Sequence, residues 1–301
     1  MSIGRRLPIA LIIAAVAFSA WLALPSCADE LAERGRAIFK QNQHAVVTVQ
    51  VVQKMKFSMP GLGAQANESK QDITGTVVDP SGLVVLALSS CEPADMLQNM
   101  MAALGGGGGD DDVAKLKMDI ELSDVKILLD SGTELPAEVV LRDRDLDLAF
   151  IRPKAKPATP MIAVDLSKSA RADVLDHVVT LNRLGSPAGR AYSVSVERIS
   201  AVVQKPRVFY IPATSMGSTA LGSPAFSLDG NLLGVFVMRS IRSRGGGGGA
   251  GFSAMLNFHP EEGLTTIILP AGDILKASKQ APEAKGDDEK KPEAKNSKEE
   301  K

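Results

Sequence analysis

The chain has 301 residues, of which 45% are hydrophobic and 23% charged, and its formal net charge is −1. This composition is typical of a globular protein, and the length allows one large domain or two small ones. The near-zero charge argues against nucleic acid as a partner, because a nucleic-acid-binding surface needs an excess of Lys and Arg.

The N-terminal segment has the pattern of an export signal: two arginines, an apolar run, and small residues that end at Ala28. We therefore predict a signal peptide over residues 1–28 and a protein that is exported to the periplasm or cell envelope, or secreted. The stretch Leu24–Cys27 also resembles a bacterial lipobox, so a lipid tether on Cys27 is the alternative to cleavage after Ala28. An uncleaved anchor is a third alternative, because the apolar run is nearly long enough to span a bilayer.

Helical spacing with mixed charge predicts a helical lead-in over residues 29–44, followed by a series of short strands. The segment Met59–Ser69 is predicted to be a loop because it contains Gly, Pro and Asn. Turn residues such as Pro80-Ser81-Gly82 separate the strands. The strands predicted in this half are Ala45–Val52, Ile73–Asp79, Leu83–Leu88, Asp124–Leu129, Glu134–Leu141 and Leu146–Arg152.

The second half repeats this style after a Pro-rich connector, Pro153–Pro160, which is the candidate domain boundary. A short helix over Ala271–Ser278 is predicted to close the fold. Many short strands with regular turns and few helices favour an all-β barrel or sandwich. The strands predicted here are Met161–Val164, Val178–Asn182, Tyr192–Val202, Val208–Ile211, Ala225–Leu228, Leu232–Val237 and Thr265–Leu269.

Three segments have compositions that predict flexible chain. The glycine runs 105–109 and 245–249 are predicted to be surface insertions, and the tail 279–301, rich in Lys, Glu, Pro and Ala, is predicted to be disordered. Asp110–Asp112 follow the first glycine run but lack the alternating ligand spacing of a calcium loop. We therefore expect no metal site and no cofactor.

Four longer segments resemble sequence motifs of one protease family in order and spacing. They are TGTVVDPSGLVVLALSS (74–90), VKILLDSGTELPAEVVLRDRDLDLAFIRP (125–153), VVTLNRLGS (178–186) and ALGSPAFSLDGNLLGV (220–235). They are similar to motifs of the HtrA/Deg-type branch of trypsin-like serine proteases, the last of them to GNSGGPLxNxxGxVIGI. The resemblance implies two six-stranded β-barrels, over 45–155 and 156–278, with a site in the cleft between them. We expect no PDZ-like segment after them, because the chain turns to a charged tail by Lys279.

The resemblance also locates the three triad positions of the family. Acyl transfer needs a hydroxyl nucleophile, an imidazole base and a carboxylate that orients the imidazole. Ser89 stands where the family has histidine, Asp147 fits the aspartate, and Leu221 stands where the family has the nucleophilic serine. A serine hydroxyl is too weakly basic to act as a general base near neutral pH, and leucine has no nucleophile.

The oxyanion loop and the cleft wall are also predicted from the resemblance. Thr219 and Ala220 replace the Gly-Asn that precedes the nucleophile, and a β-branched Thr219 resists the backbone angles that glycine allows. Leu88 and Ser223 are predicted to contact a ligand in the cleft. With no imidazole to orient, we favour a structural hydrogen-bonding role for Asp147.

A relocated nucleophile or base is the alternative, which would make the chain an active serine endopeptidase. Ser223 lies two residues after the expected serine position and Ser218 three before it, but using either would displace Pro224 or the hairpin that follows. None of the three histidines, His44, His177 and His259, lies at a family position. Cys91 is expected to be alone if Cys27 is removed or lipidated, which excludes an intrachain disulfide, and no motif makes it a nucleophile.

The sequence therefore predicts an exported trypsin-like protease homologue that has lost its chemistry. Its expected role is that of a binding or scaffold module, with a peptide or protein partner that the sequence does not identify. An exported structural protein whose cleft has no role is the third hypothesis.

Overall fold

The structure is a computed structural model, and it describes residues 27–59, 63–93, 117–214, 218–240 and 264–282. Several predictions lie outside these residues: the signal segment up to residue 26, both glycine runs with Asp110–Asp112, His259, and the tail beyond residue 282. None of the helices within the described ranges is long and apolar enough to cross a membrane.

Twelve strands and three α-helices make up the described chain, together with short 3-10 turns. The helices are α1 (Cys27–Asn42), α2 (Leu88–Cys91) and α3 (Ala271–Ser278). The strands of the first half are β1 (Val46–Met59), β2 (Gly63–Asp79), β3 (Leu83–Ala87), β4 (Lys117–Leu128), β5 (Glu134–Asp143) and β6 (Leu148–Pro153). Those of the second half are β7 (His177–Arg183), β8 (Tyr192–Val203), β9 (Phe209–Pro212), β10 (Pro224–Ser227), β11 (Leu232–Ser240) and β12 (Leu264–Pro270).

The strands form two closed antiparallel barrels, as the sequence predicted. The first has the order β1-β2-β3-β6-β5-β4 and the second β10-β11-β12-β9-β8-β7. Each barrel closes because its first strand pairs on both sides: β1 with β2 and β4, and β7 with β8 and β10. Closure removes the unpaired strand edges that would otherwise expose backbone hydrogen-bonding groups.

The strands at the junction of the barrels are apolar on both faces. All five residues of β3 are buried, and successive residues face two different cores. Val84 and Leu86 pack inside the first barrel, whereas Leu83 and Val85 join a cluster that contains side chains of both barrels, such as Phe150 and Phe226. This second cluster is the inter-barrel core. Burial of each such side chain stabilises the fold by about 1.5–3 kcal/mol, so the two barrels are held together mainly by apolar packing.

Two sequence predictions of local structure were wrong. The predicted loop Met59–Ser69 is mostly strand, because β1 and β2 continue as a paired ribbon from Val46↔Thr76 to Met59↔Gly63. The predicted strand Met161–Val164 is irregular chain, although two of its amides donate to the first barrel: Met161 N to Pro80 O and Val164 N to Val77 O, both at 2.9 Å. Contacts distant in sequence override local propensity at both places.

Candidate functional site

The predicted nucleophile loop lies at the start of β10 and is fixed by backbone hydrogen bonds. Ser218–Ala220 form one 3-10 turn, and the Ser223 amide donates to Ala220 O over 3.0 Å. The hairpin that follows pairs Pro224 with Val235. The predicted SLDGN turn therefore joins β10 to β11, as the register of the motif requires.

Gly222 fixes this loop to the first barrel. Its φ is +82°, and its amide donates to Phe236 O over 2.8 Å. The hydroxyl of Thr76 in β2 donates to Gly222 O over 2.7 Å. A Cβ on Gly222 would lie 2.1 Å from Thr74 O, so only glycine fits at this point.

A second polar contact between the barrels is centred on Asn182 in β7. Its Oδ1 accepts hydrogen bonds from the hydroxyls of Thr74, at 2.6 Å, and Ser223, at 3.2 Å. Ser223 is fully buried, so its hydroxyl is directed into the protein. Sequence reasoning missed Asn182 and Thr76, because nothing in the sequence shows that strands of different barrels meet here.

Asp147 accepts three hydrogen bonds from both barrels. Its Oδ1 accepts the Ser89 amide at 2.7 Å, and its Oδ2 accepts the Ser89 hydroxyl at 2.9 Å and the Met238 amide at 2.7 Å. Asp147 has a φ of +55°, and its own carbonyl accepts the Leu88 amide at 2.9 Å. An aspartate tolerates this left-handed conformation better than most side chains. The carboxylate therefore connects α2 in the first barrel to β11 in the second.

Burial raises the pKa of the Asp147 carboxyl to about 6, and the hydrogen bonds from Met238 and Ser89 oppose this shift. In the unfolded chain the same carboxyl has a pKa of about 3.9. The folded protein therefore binds this proton more tightly, so the stability that protonation contributes is complete below about pH 4 and is lost as the pH rises through about 6.

We expect the free energy of unfolding of the wild type, relative to that of Asp147→Asn, to fall by about 2–3 kcal/mol between pH 4 and pH 7. Asparagine does not titrate, and the remaining ionisable groups are common to both proteins, so their contributions cancel. Urea unfolding at several pH values measures this difference. A difference that is constant or that rises with pH would contradict the assignment.

Ser89, Thr219 and Leu221 lie in one cleft of about 420 Å³ between the barrels, which we call the interbarrel cleft. Thr74 and Met238 also contribute to its lining. The structure thus brings three predicted residues into one region. Ser89 and Leu221 line the same cleft, and Asp147 is hydrogen-bonded to Ser89.

Other predicted site residues lie elsewhere. Ala220, Leu88 and Ser223 are buried, and none of the three belongs to the cleft lining. Leu88 begins α2 and Ser223 lies in the loop before β10, and the sequence motif does not show in which direction their side chains point. Thr219 is exposed in the 3-10 turn, and it is not among the described non-glycine residues with positive φ, which are Asp147, Leu175 and Arg190.

The two described histidines are engaged away from this cleft. His44 Nδ1 lies 2.8 Å from the Asp130 carboxylate and 3.4 Å from the Tyr192 hydroxyl. His177 Nε2 accepts from Arg198 Nε over 3.1 Å. Burial raises the pKa of the Cys91 thiol to about 12, and the thiol donates to Leu88 O. Cys91 is therefore a protonated core residue and not a thiolate nucleophile.

The hydrogen bond from Thr76 to Gly222 should contribute measurably to stability. Thr76→Val keeps the side-chain shape and leaves the buried Gly222 carbonyl without this donor, so we expect a loss of about 1–3 kcal/mol in the free energy of unfolding. Thr180→Val is the matched control: this hydroxyl is buried but has no hydrogen-bond partner among the described residues, so its removal should be neutral or stabilising. Equal losses in urea unfolding would contradict the role of Thr76.

Comparison with known proteins identifies the family. Residues 73–235, more than half of the chain, match the trypsin-like peptidase domain family. No sequence among the curated proteins matches the chain.

Solved structures that are similar to this chain include three proteases. The HtrA-type protease AlgWS227A with a decapeptide is 15% identical, with a TM-score of 0.51 over 81% of this chain and 65% of that one. The serine endoprotease from Yersinia pestis is 13% identical, with a TM-score of 0.48 over 81% and 65% of the two chains. The apo MamO protease domain from Magnetospirillum magneticum is 16% identical, with a TM-score of 0.44 over 79% and 97%.

The chain spans about two thirds of the length of the first two of these structures, at 65% of each. The pair of six-stranded barrels matches the fold of the first of these structures, as the sequence resemblance had implied. Together with the family match over residues 73–235, this fold places the protein: the chain belongs to the trypsin-like peptidase domain family and has the double-barrel fold of HtrA-type serine proteases.

Proposed function

We propose that this protein is a non-catalytic homologue of HtrA/Deg-type serine proteases that binds an extended peptide or protein segment in the interbarrel cleft. The observation that carries the proposal is that the side chain hydrogen-bonded to Asp147 is that of a serine, Ser89. The carboxylate accepts the Ser89 hydroxyl at 2.9 Å, in the position where the family resemblance calls for an imidazole.

The chemistry of Ser89 and Leu221 supports this proposal. A serine hydroxyl cannot hold a proton taken from a nucleophile, and the leucine side chain offers no atom that could attack a carbonyl. The three donors to Asp147 leave this carboxylate satisfied without an imidazole. Asp147 then acts as a structural connection between the barrels.

The character of the cleft supports peptide binding. Apolar side chains such as Ile73, Leu184 and Leu221 line it together with the polar Thr74 and Thr219. A mixed lining of this kind suits a peptide, whose apolar side chains and backbone groups both need partners. The similar HtrA-type protease was itself solved with a decapeptide.

Export to the periplasm or cell envelope is part of the proposal. It rests on the signal-like pattern of residues 1–28, with a lipid tether on Cys27 as the alternative outcome. Mass spectrometry of the protein from the native envelope distinguishes an N-terminus at Asp29 from a lipidated Cys27. An intact segment before Cys27 would contradict both forms of processing.

Activity-based labelling tests the loss of catalysis. We expect the purified wild type to remain unlabelled by a fluorophosphonate probe and to leave unfolded casein intact, because it has neither base nor nucleophile at the family positions. Stoichiometric labelling that a single serine substitution abolishes would instead support the alternative, an active serine endopeptidase with a relocated nucleophile or base.

Peptide binding is tested separately. A library of unfolded peptides is screened by fluorescence anisotropy against the wild type, Thr219→Arg and Thr133→Arg. Thr219 is exposed and lines the cleft, so a bulky arginine there should weaken binding by at least about tenfold. Thr133 is exposed in the turn between β4 and β5 and serves as the control. Absence of binding, or equal binding by all three proteins, would favour a structural protein whose cleft has no role.

A further inference from the structure

A second cavity, far larger than the interbarrel cleft, lies beside the first barrel. It has a volume of about 980 Å³ and is bordered by the β2–β3 turn, the connector after β6, residues 164–167 and the end of α3. It shares none of its lining residues with the interbarrel cleft. We call it the lateral cavity.

Arg152 of β6 lines this cavity and is nine-tenths buried, with 9% of its surface exposed. Its Nη1 donates to the Ser81 hydroxyl over 2.6 Å. Its Nε is buried and has no hydrogen-bond partner among the described residues. Burial of a guanidinium is costly unless an anion or a full set of acceptors replaces the hydrogen bonds that it made to water. Because its Nε has no acceptor in the described chain, Arg152 lacks part of this compensation.

The nearby acidic groups do not hydrogen-bond to this Nε. Asp79 is held by the Ser81 amide at 2.8 Å, and the pKa of Asp79 is lowered mainly by hydrogen bonds from Ser81, with a smaller contribution from the charge of Arg152. The Asp165 carboxylate accepts the amide and hydroxyl of Ser167 and lies 3.4 Å from Lys168. Both carboxylates therefore have other partners.

Further cations surround the cavity. Lys154, Lys156 and Lys279 line it together with Arg152, against the two carboxylates of Asp79 and Asp165. The three lysines are exposed, so their ammonium groups can turn toward a bound group. The balance of charge in the lining is positive, which attracts an anion.

The rest of the lining is apolar. Val78, Leu83, Val164, Leu166 and Leu275 form part of the wall. A guanidinium binds carboxylate or phosphate oxygens through paired N–H groups, and an apolar wall beside it accommodates a hydrocarbon body. The volume lies in the range of small-molecule sites.

We propose that the lateral cavity binds a small amphipathic anion, a phosphate monoester or carboxylate with an apolar body, through Arg152 and the lysines around it. The head group supplies an anion that compensates the charge of the buried guanidinium, and the body covers the apolar wall. This site is independent of the interbarrel cleft and of the proposed loss of catalysis.

Isothermal titration calorimetry with three probes tests the site in the full chain. Hexyl phosphate carries both features, inorganic phosphate only the anion and hexanol only the apolar body. We expect hexyl phosphate to bind in the micromolar-to-millimolar range, inorganic phosphate at least tenfold more weakly, and hexanol not measurably. Binding of the two phosphates with equal affinity would overturn the amphipathic preference, and no saturable binding of either would overturn the site.

Variants locate the binding. Arg152→Gln should weaken hexyl phosphate binding at least tenfold, and the double variant Lys154→Gln with Lys279→Gln should weaken it about threefold or more. Lys276→Gln is the control, since Lys276 is exposed on the same helix as the cavity wall but pairs with Asp273. If Arg152→Gln does not fold, the double variant decides. Equal affinity in the double variant and in Lys276→Gln would overturn the proposal.

Discussion

Replacing Gly222 by alanine is expected to lower the free energy of unfolding by about 2–5 kcal/mol. Two costs add at this residue. The φ of +82° is strained for any side chain, which costs about 1–2 kcal/mol. The added Cβ would also lie 2.1 Å from Thr74 O, so backbone of the two barrels must move apart, at a further cost of about 1–3 kcal/mol.

Gly132→Ala separates these two costs. Gly132 has almost the same φ, +81°, but a Cβ there has no neighbour within 4 Å. We expect this variant to lose only the conformational part, about 1–2 kcal/mol, in the same urea unfolding experiment. Equal losses in the two variants would show that the close approach between Gly222 and Thr74 is not present in solution.

Installing histidine and serine at the two positions that the resemblance assigns to the triad base and nucleophile is expected to create reactivity toward fluorophosphonates. In the double variant Ser89→His, Leu221→Ser, Asp147 is already placed to orient the new imidazole, because it binds both the amide and the hydroxyl of residue 89. Residue 221 lines the same cleft as residue 89. We expect labelling about 10²–10⁴-fold faster than in Leu221→Ser alone, the usual contribution of a general base.

Hydrolysis of casein by the double variant should remain slow even if labelling succeeds. The loop before residue 221 is a 3-10 turn, and Thr219 stands at the position that the resemblance assigns to glycine, so we do not expect it to supply the N–H groups that an oxyanion needs. Leu221→Ser also removes a buried side chain, which costs about 2–4 kcal/mol. Circular dichroism must therefore confirm folding before the labelling rates are compared.

Addition of Asp147→Asn to the double variant is the control for mechanism. The asparagine keeps the size of the side chain but cannot hold the imidazole in the reactive tautomer, so labelling should fall at least about tenfold. A folded double variant that stays unlabelled would show that Ser89 and Leu221 do not correspond to the catalytic positions. Labelling that does not depend on Asp147 would assign the reactivity to another group.

Local patterns predicted much of the secondary structure. The Pro80-Ser81-Gly82 turn, the SLDGN turn and α3 at Ala271–Ser278 lie where the sequence predicted them, because glycine, proline and short polar side chains set backbone angles locally. The ribbon at the ends of β1 and β2 was missed, since its pairing with β4 compensates for weak strand propensity.

The candidate site was predicted in part. Motif spacing brought Ser89, Asp147 and Leu221 together as a hypothesis, and the structure places Ser89 in contact with Asp147 and Leu221 in the adjoining cleft. The same spacing assigned Ser223 to the cleft, but its hydroxyl points to Asn182 in the interior. A motif gives the order of residues along a loop, whereas the packing of two barrels decides which side chains face the solvent.

The sequence by itself determined the all-β composition and the register of the turns. It also determined that position 89 is not histidine and that position 221 is not serine. Tertiary structure alone decided how Asp147 joins the barrels, why residue 222 must be glycine, and that Arg152 is buried beside a large cavity. The physical reason is the distance along the chain over which each kind of interaction acts. Backbone preferences and turn chemistry act over a few residues, whereas burial, close approach and charge compensation depend on atoms that are brought together from strands far apart in the chain.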